Sequence, residues 1–290
     1  MKLWTIQTSS PRSAARRAEK AEADGWAGVG VTDSRNLAGD AWVALTAMAA
    51  ATDRLELGTS VTNPVTRHPA VTAAAAQSLA IIAGDRVAVG IGRGDSALAH
   101  LGRAPAGVGL FERYLQALRA YLRGEPVAFD DLGFSDATAP DVSTLGLADT
   151  PEHSRLVWRR DDDPLVTVEV ASTGPKVIGA AARSADRIVF ALGAAPERIA
   201  WGMEVARSAR TDAGLDPDGI EFASYLNVVP HPDVGAARAM VAGSLTTFAR
   251  FAVMHGTVQG PTDETQKALM EQLHSSYDMK HHTQSGSDQT

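Results

Sequence analysis

The sequence predicts an α/β protein of the parallel-barrel class, and three observations lead there. First, four alanine-rich, helix-like stretches each run through a short acidic turn into an apolar strand. The turns are Ala23-Asp24-Gly25 before residues 27–31, Thr52-Asp53-Arg54 before 55–58, Gly84-Asp85-Arg86 before 87–90, and Ala185-Asp186-Arg187 before 188–190. A repeated helix-to-strand unit writes a parallel sheet, because each strand needs a crossover to return beside its neighbour. Second, 290 residues of ordinary apolar content suit one such barrel. Third, the uncommon residues gather in the loops after the strands, where barrels of this class build their sites.

Strands are expected near 2–7, 27–32, 55–61, 87–92, 166–171, 187–192 and 220–228. The Asp-Arg pairs ahead of them read as structural caps. Between them, the helix from Pro69 to Ile82 opens with proline in its first turn, presents Val71, Ala75, Leu79 and Ile82 on one face, and stops at Gly84. The helix from Gly109 to Arg123 carries Phe111, Leu115, Leu118 and Leu122 on one stripe, with Gly124 after it. Further helices are expected near 175–185, 196–213 and 231–254. Residues 125–164, rich in Asp, Pro, Gly and Thr, show no sustained period and read as an irregular insertion of loops with at most a hairpin. A polar, histidine-bearing tail at about 279–290 is expected to fray. The whole reads as a single domain over 1–290. Seven strands are counted where an eightfold barrel needs eight, so the last strand and helix are expected to be absent, leaving strand edges exposed.

Composition closes several routes. With no cysteine, disulfides and thiol chemistry are excluded. A net charge of −7 argues against nucleic acid as a general partner. No apolar run reaches the ~20 residues of a membrane span, and the start is too quickly polar for a signal peptide; a cytoplasmic location is expected. His68, His100, His231, His255 and the pair His281-His282 lack metal-ligand spacing, so no metal is expected. No G-x-S-x-G elbow marks a serine nucleophile.

The candidate site lies in the loops after strands two to five. They hold Thr32-Asp33-Ser34; Thr59-Ser60-Val61-Thr62-Asn63-Pro64 running to Arg67-His68-Pro69; Gly90-Ile91-Gly92-Arg93-Gly94-Asp95-Ser96; and Ser172-Thr173-Gly174-Pro175-Lys176. Taken singly, each keeps two readings. The glycine run is a tight turn or a phosphate cradle. Asp33 caps a turn or faces a ligand. In the last loop, glycine and proline open a helix whose amides suit an anion, and Lys176 neutralises that anion, forms a Schiff base or points to solvent.

In this order and spacing the motifs resemble the bacterial luciferase-like superfamily, and within it the deazaflavin (coenzyme F420)-dependent enzymes akin to methylenetetrahydromethanopterin reductase. The resemblance implies a (β/α)₈ TIM barrel, here apparently short of its last strand and helix, that seats a flavin or deazaflavin ring and transfers hydride to or from a small organic substrate. It implies a non-prolyl cis peptide at Ser60-Val61, with that bulge behind the ring. Asp33 and Asp95 become the candidate catalytic acids. Asp33, Ser34, Thr59, Ser60, Val61, Asn63, Gly92, Arg93, Gly94, Asp95 and Gly193 become cofactor contacts, and Ser172, Thr173, Gly174, Pro175 and Lys176 lie near its phosphate. Backbone donors near Gly92 and Gly94 would steady charge on the reduced ring. Many relatives carry histidine where Ser34 stands, which puts a proton relay there in doubt. Coenzyme F420 is the expected cofactor and FMN, in a monooxygenase, the alternative; a non-catalytic cofactor-binding paralogue and a cofactor-free lyase using Lys176 are the others. Relatives pair through helices near strands two and three, where Trp42, Leu45 and Met48 either contribute to a homodimer or pack in the core.

Overall fold

The structure is a computed structural model and describes residues 1–132, 135–253 and 257–279. Its chain divides into two compact units, Met1–Val168 and Glu169–Thr290.

The first unit alternates strand and helix in chain order: β1 (Trp4–Thr8), α1 (Ala14–Ala23), β2 (Gly28–Thr32), α2 (Ala41–Ala50), β3 (Glu56–Thr59), α3 (Pro69–Ala83), β4 (Val87–Ile91), the single turn α4 (Ser96–Ala99) and α5 (Val108–Arg123). Strands β1 to β4 are parallel and adjacent in that order. Ile6, Gly30, Gly58 and Ala88 stand in register, so they share one face of the sheet. The other face carries Val29, Val31, Leu57, Val87 and Val89, all buried, under α1, α2 and α3. The helix side is thus built from β-branched and leucine side chains, and the opposite side from glycine and alanine.

Local chemistry explains the helix ends. Asp40 caps α2 by accepting from the amides of Trp42 and Val43 at 2.9 and 3.2 Å. His68 caps α3 through Nδ1, which accepts from the Ala70 amide, with Pro69 in the first turn and Gly84 (φ 71°) as the stop. α5 ends at left-handed Gly124, and its expected stripe Phe111, Leu115, Leu118 and Leu122 is buried, each side chain worth roughly 1.5–3 kcal/mol. The expected face of α3 is corrected. Val71 and Ile82 are 50% and 56% exposed, and the packed side is Thr72, Ala73, Ala76, Gln77, Leu79, Ala80 and Ala83. In this helix the largest apolar groups do not mark the core, because small residues let α3 approach α2 and α5 closely. Trp42, Leu45 and Met48 likewise belong to the core rather than to a pairing surface.

Polar side chains tie successive repeats together. The Glu22 carboxylate, on α1, accepts from the backbone amides of Arg54 and Leu55 at 2.7 and 2.8 Å, and from that of Asp53, just ahead of β3. Arg86, ahead of β4, donates to the carbonyls of Ala83 and Leu55 and to the Thr52 hydroxyl. Arg86 is therefore a tie between repeats more than a cap of its own turn. The 125–164 segment contains two 3₁₀ turns, Phe129–Leu132 and Val142–Leu145, and one antiparallel bridge between Val127 and Ser154. Tyr121 anchors that bridge by donating to Ser154 Oγ at 2.7 Å.

The unit boundary falls inside β5 (Thr167–Ser172), which is followed by α6 (Pro175–Ser184), β6 (Arg187–Phe190), α7 (Pro196–Asp212), β7 (Glu221–Ser224), α8 (Val234–Ala252) and α9 (Glu264–Ser276). β5, β6 and β7 are parallel and consecutive. Their register sets Arg187 between Glu169 and Glu221, and its guanidinium pairs with both, at 3.0 and 2.7 Å. α8 starts later than expected because Asp233 caps it, accepting from the Gly235 and Ala236 amides. α4 and α9 were not foreseen from sequence: one is a single turn, and the other follows a stretch without apolar period. β7 is shorter than its expected 220–228. Seven strands and no eighth occur among the described residues. His255, His281-His282 and nearly all of the 279–290 tail lie outside those residues.

The tie at Glu22 gives a pH-dependent prediction. Its carboxyl is held below the usual glutamate range, first by the Arg54 amide and then by those of Leu55 and Asp53, against an opposing desolvation. A lowered folded value means stability that is full above the ordinary glutamate range and is lost as pH falls through the folded value. Glu22→Gln is therefore expected to lower Tm at pH 7 by a few degrees at most, since the group is close to solvent, and by less near pH 3, as read by thermal denaturation at both pH values.

Candidate functional site

In the first unit the site grows from the way β3 ends. Ser60 donates its amide to the Val31 carbonyl of β2, and pairing with β4 resumes only at Thr62, whose amide donates to Gly90 and whose carbonyl accepts from Gly92. Ser60 and Val61 stand between as a bulge, and the peptide joining them is cis. The bulge rests against β2: a Cβ on Gly30 would lie 2.6 Å from Ser60 Cβ. Thr59 is buried and donates to the Gly90 carbonyl at 2.7 Å, so its hydroxyl holds β3 to β4. The Gly92 amide is committed to Thr62 and is not the open donor expected from sequence.

Asp33, one residue past β2, is 1% exposed. Its Oδ2 accepts from Thr62 Oγ1 at 2.7 Å and from Arg35 Nη2 at 3.1 Å, while Oδ1 is buried without a hydrogen-bond partner. Arg35 Nη1 donates to Thr66 Oγ1. Thr66 Oγ1 and the amides of Val65 and Thr66 all donate to Asn63 Oδ1, at 3.2, 3.0 and 3.1 Å. Three donors on Oδ1 settle which way this amide points, leaving Asn63 Nδ2 as a buried donor without a partner. Thr62 and Asn63 are consecutive, so Asp33, Thr62, Asn63, Thr66 and Arg35 close into one circuit.

The loop after β4 joins this circuit through Gly94. At φ 83°, a Cβ on Gly94 would lie 2.7 Å from Leu98 Cδ1 and 3.0 Å from Asn63 Cβ, so only glycine lets the loop reach Asn63. Asp95 follows, half-buried at the start of α4, with its carbonyl accepting from Leu98 and Ala99. Arg93 is half-buried, and burial lowers its guanidinium pKa. Ser34 accepts at its carbonyl from Leu37 and Ala38, forming the turn out of β2. Nearby, Arg67 pairs with Asp40, and buried Tyr114 exchanges a hydrogen bond with Thr72. Burial pushes the Tyr114 phenol to about 12, with smaller influences from the charges of Arg67, Asp33 and Arg35. Arg35, Thr62 and Thr66 were missed from sequence: a threonine or arginine in a loop carries no pattern, and only the contact between two loops reveals the role.

In the second unit, Gly174 is the N-cap of α6 and brings no side-chain oxygen, with Pro175 following. Pro175 has no amide hydrogen and the Val177 amide donates to the Gly174 carbonyl at 3.1 Å, so the Lys176 amide is the first-turn donor left to a ligand or solvent. Ser172 is buried, Thr173 is half-buried, Lys176 is exposed and Gly193 sits at φ 79°. Arg198, also missed from sequence, is 2% exposed and donates to the carbonyls of Leu192, Gln259 and Pro261 at 3.0, 2.7 and 3.0 Å. It fastens the segment before α9, whose Gln259 side chain comes within 3.7 Å of a Cβ built on Gly174. Burial lowers the pKa of this guanidinium. Among the described residues no cluster of three or more metal-binding side chains occurs.

Comparison with known proteins bears on both units. A profile described as luciferase-like monooxygenase matches residues 2–289. The chain is 29% identical over 215 residues to the 5,10-methylenetetrahydromethanopterin reductase of Methanolobus tindarius, covering 73% of this chain and 59% of that protein. It is 33% identical over 190 residues to the F420-dependent glucose-6-phosphate dehydrogenase of Beutenbergia cavernae, covering 59% of this chain and 50% of that one. The chain thus spans between half and three fifths of the length of these two relatives. Among solved structures, the coenzyme F420-dependent tetrahydromethanopterin reductase of Methanopyrus kandleri superposes with a TM-score of 0.68 at 20% identity, over 86% of this chain and 72% of that one. An F420-dependent secondary alcohol dehydrogenase in complex with an F420-acetone adduct gives 0.67 at 21% identity, over 97% and 83%. The fold is shared with these structures, in agreement with the luciferase-like barrel class expected from sequence.

Gly94→Ala would force a Cβ into Leu98 and Asn63 at a positive φ. The expected loss is about 1–3 kcal/mol, read as a lower urea midpoint.

Proposed function

Because the chain belongs to the luciferase-like monooxygenase family, whose profile spans nearly all of it, we propose that it is an oxidoreductase that uses coenzyme F420 to exchange hydride with a small organic substrate. The observation that carries this reading is the pair of buried polar atoms without partners, Asp33 Oδ1 and Asn63 Nδ2, in the loops after β2 and β3. Buried polar groups are nearly always satisfied, so these two atoms are available to a ligand or to an ordered water. The pair fits a planar heterocycle that presents a donor and an acceptor, and glycines at 30 and 94 let the surrounding loops close in without side chains. That a relative of similar sequence bears the name of an F420-dependent dehydrogenase supports the choice of cofactor.

When bound, F420 supplies a two-electron hydride carrier. The protein's part is to hold, exclude water and move a proton. Asp33, Asn63 and the Ser60-Val61 bulge hold the ring. Asp95, half-buried beside Gly94, is the carboxylate we assign to proton exchange with the substrate. In the second unit, taken by itself, the start of α6, with the Lys176 amide and residues Ser172, Thr173, Gly174, Pro175 and Lys176, suits the phosphate of such a cofactor, with Gly193 as a further contact. Lys176 is exposed, which disfavours a Schiff-base role, since a lysine nucleophile is activated by desolvation. A homodimer would use the outer faces of α2 and α3. Neither helix has a charged residue, and Val43, Val71, Ile81 and Ile82 are exposed on them.

Two measurements test this reading. In parallel fluorescence titrations F420 is expected to bind and FMN to bind more weakly; preferential FMN binding with oxygen consumption would make the protein a monooxygenase, and F420 binding without turnover on any donor or acceptor would make it a non-catalytic relative. Ile82→Arg is expected to convert a dimer to monomer in sedimentation velocity, with secondary structure unchanged.

A further inference from the structure

The charges around the orphan pair cancel. Asp33 is paired with Arg35, and Asp40 with Arg67. A fully buried carboxylate is stable only with a partner, and Arg35 supplies it from a position 27% exposed. Arg35 does a second thing: its other arm reaches Thr66, which in turn donates to Asn63 Oδ1. The planar fork of one guanidinium thus spans two loops that are also joined by the Thr62–Asp33 hydrogen bond and the Arg67–Asp40 pair. Asp33 Oδ1 is left as an acceptor and Asn63 Nδ2 as a donor, beside carboxylates already paired with guanidiniums. Such a cluster suits a neutral group that carries both donor and acceptor atoms, such as a cyclic amide, better than a phosphate or a carboxylate.

We propose that Arg35 is a positioning residue: by bridging Asp33 and Thr66 it presets Asp33 Oδ1 and Asn63 Nδ2 as an acceptor and donor for the amide edge of a bound ring. It follows that Asp33 acts as a fixed acceptor and that proton transfer falls to another group. This rests on the cofactor reading above for the identity of the ring, and not for the coupling within the circuit.

The test is a double-mutant cycle of Arg35→Ala and Thr66→Val, with Arg35→Lys as the conservative variant, read in two ways. The first is the dissociation constant for F420 and for FMN. Arg35→Ala is expected to weaken the cofactor that the wild type binds by about ten-fold or more, the loss of one hydrogen bond to a charged group. Thr66→Val is expected to weaken it alone but to add little in the Arg35→Ala background. Arg35→Lys should recover part of the affinity, because an ammonium keeps the charge without the fork. The second reading is urea unfolding without cofactor, where the same pair should be non-additive and Asp33→Asn should restore stability to Arg35→Ala by removing the stranded charge. Wild-type affinity in Arg35→Ala, or independent effects of the two substitutions, overturns the proposal. If the wild type binds neither F420 nor FMN, the cofactor reading fails, and the unfolding cycle alone decides for or against the coupling.

Discussion

The first unit depends on how closely the ends of β2, β3 and β4 approach. A Cβ on Gly58 would sit 2.7 Å from the Ala88 carbonyl oxygen, and one on Gly30 would meet Ser60 at 2.6 Å. Glycine at these places removes the one substituent that would hold the strands and the bulge apart. Only with the strand ends this close can Thr62 reach Asp33, and only with Gly94 in a left-handed conformation can the next loop touch Asn63. The polar circuit is therefore a consequence of backbone proximity before it is a matter of side-chain chemistry.

The two units solve opposite electrostatic problems. In the first, two carboxylates meet two guanidiniums, so the buried cluster is neutral and its selectivity comes from hydrogen-bond direction. In the second, the start of α6 has no side-chain capping oxygen, and the Lys176 amide is left to meet an anion. Arg198 shows a third use of the same side chain. Buried, it donates to three backbone carbonyls and so fastens an irregular segment that has no ladder of its own.

Much of the architecture could be read from residues alone, for a definite reason. Strands of a parallel sheet covered by helices are continuous apolar runs, and the Pro69, Gly84 and Gly124 boundaries are set by φ requirements that hold wherever the chain goes. The reading failed where packing, not propensity, decides. In α3 the buried stripe is alanine, threonine and glutamine with Leu79, while Val71, Ile81 and Ile82 face outward. Hydrophobic size pointed to the wrong face because tight helix contacts favour small side chains. Asp33 and Asn63 stood out as polar residues past strand ends, but Arg35, Thr66 and Arg198 looked like ordinary loop and helix residues.

By itself, the sequence determined the order of strands and helices, the positions that must be glycine or proline, and the absence of thiol chemistry, because each of these is set by local sterics or by composition. Tertiary structure alone decided which polar groups share a circuit, which atoms remain unsatisfied and which arginine is buried. Those properties depend on distances between residues some thirty positions apart, as in the contact of Asp33 with Thr62. Such distances exist only once the backbone of β3 has been laid against its neighbours.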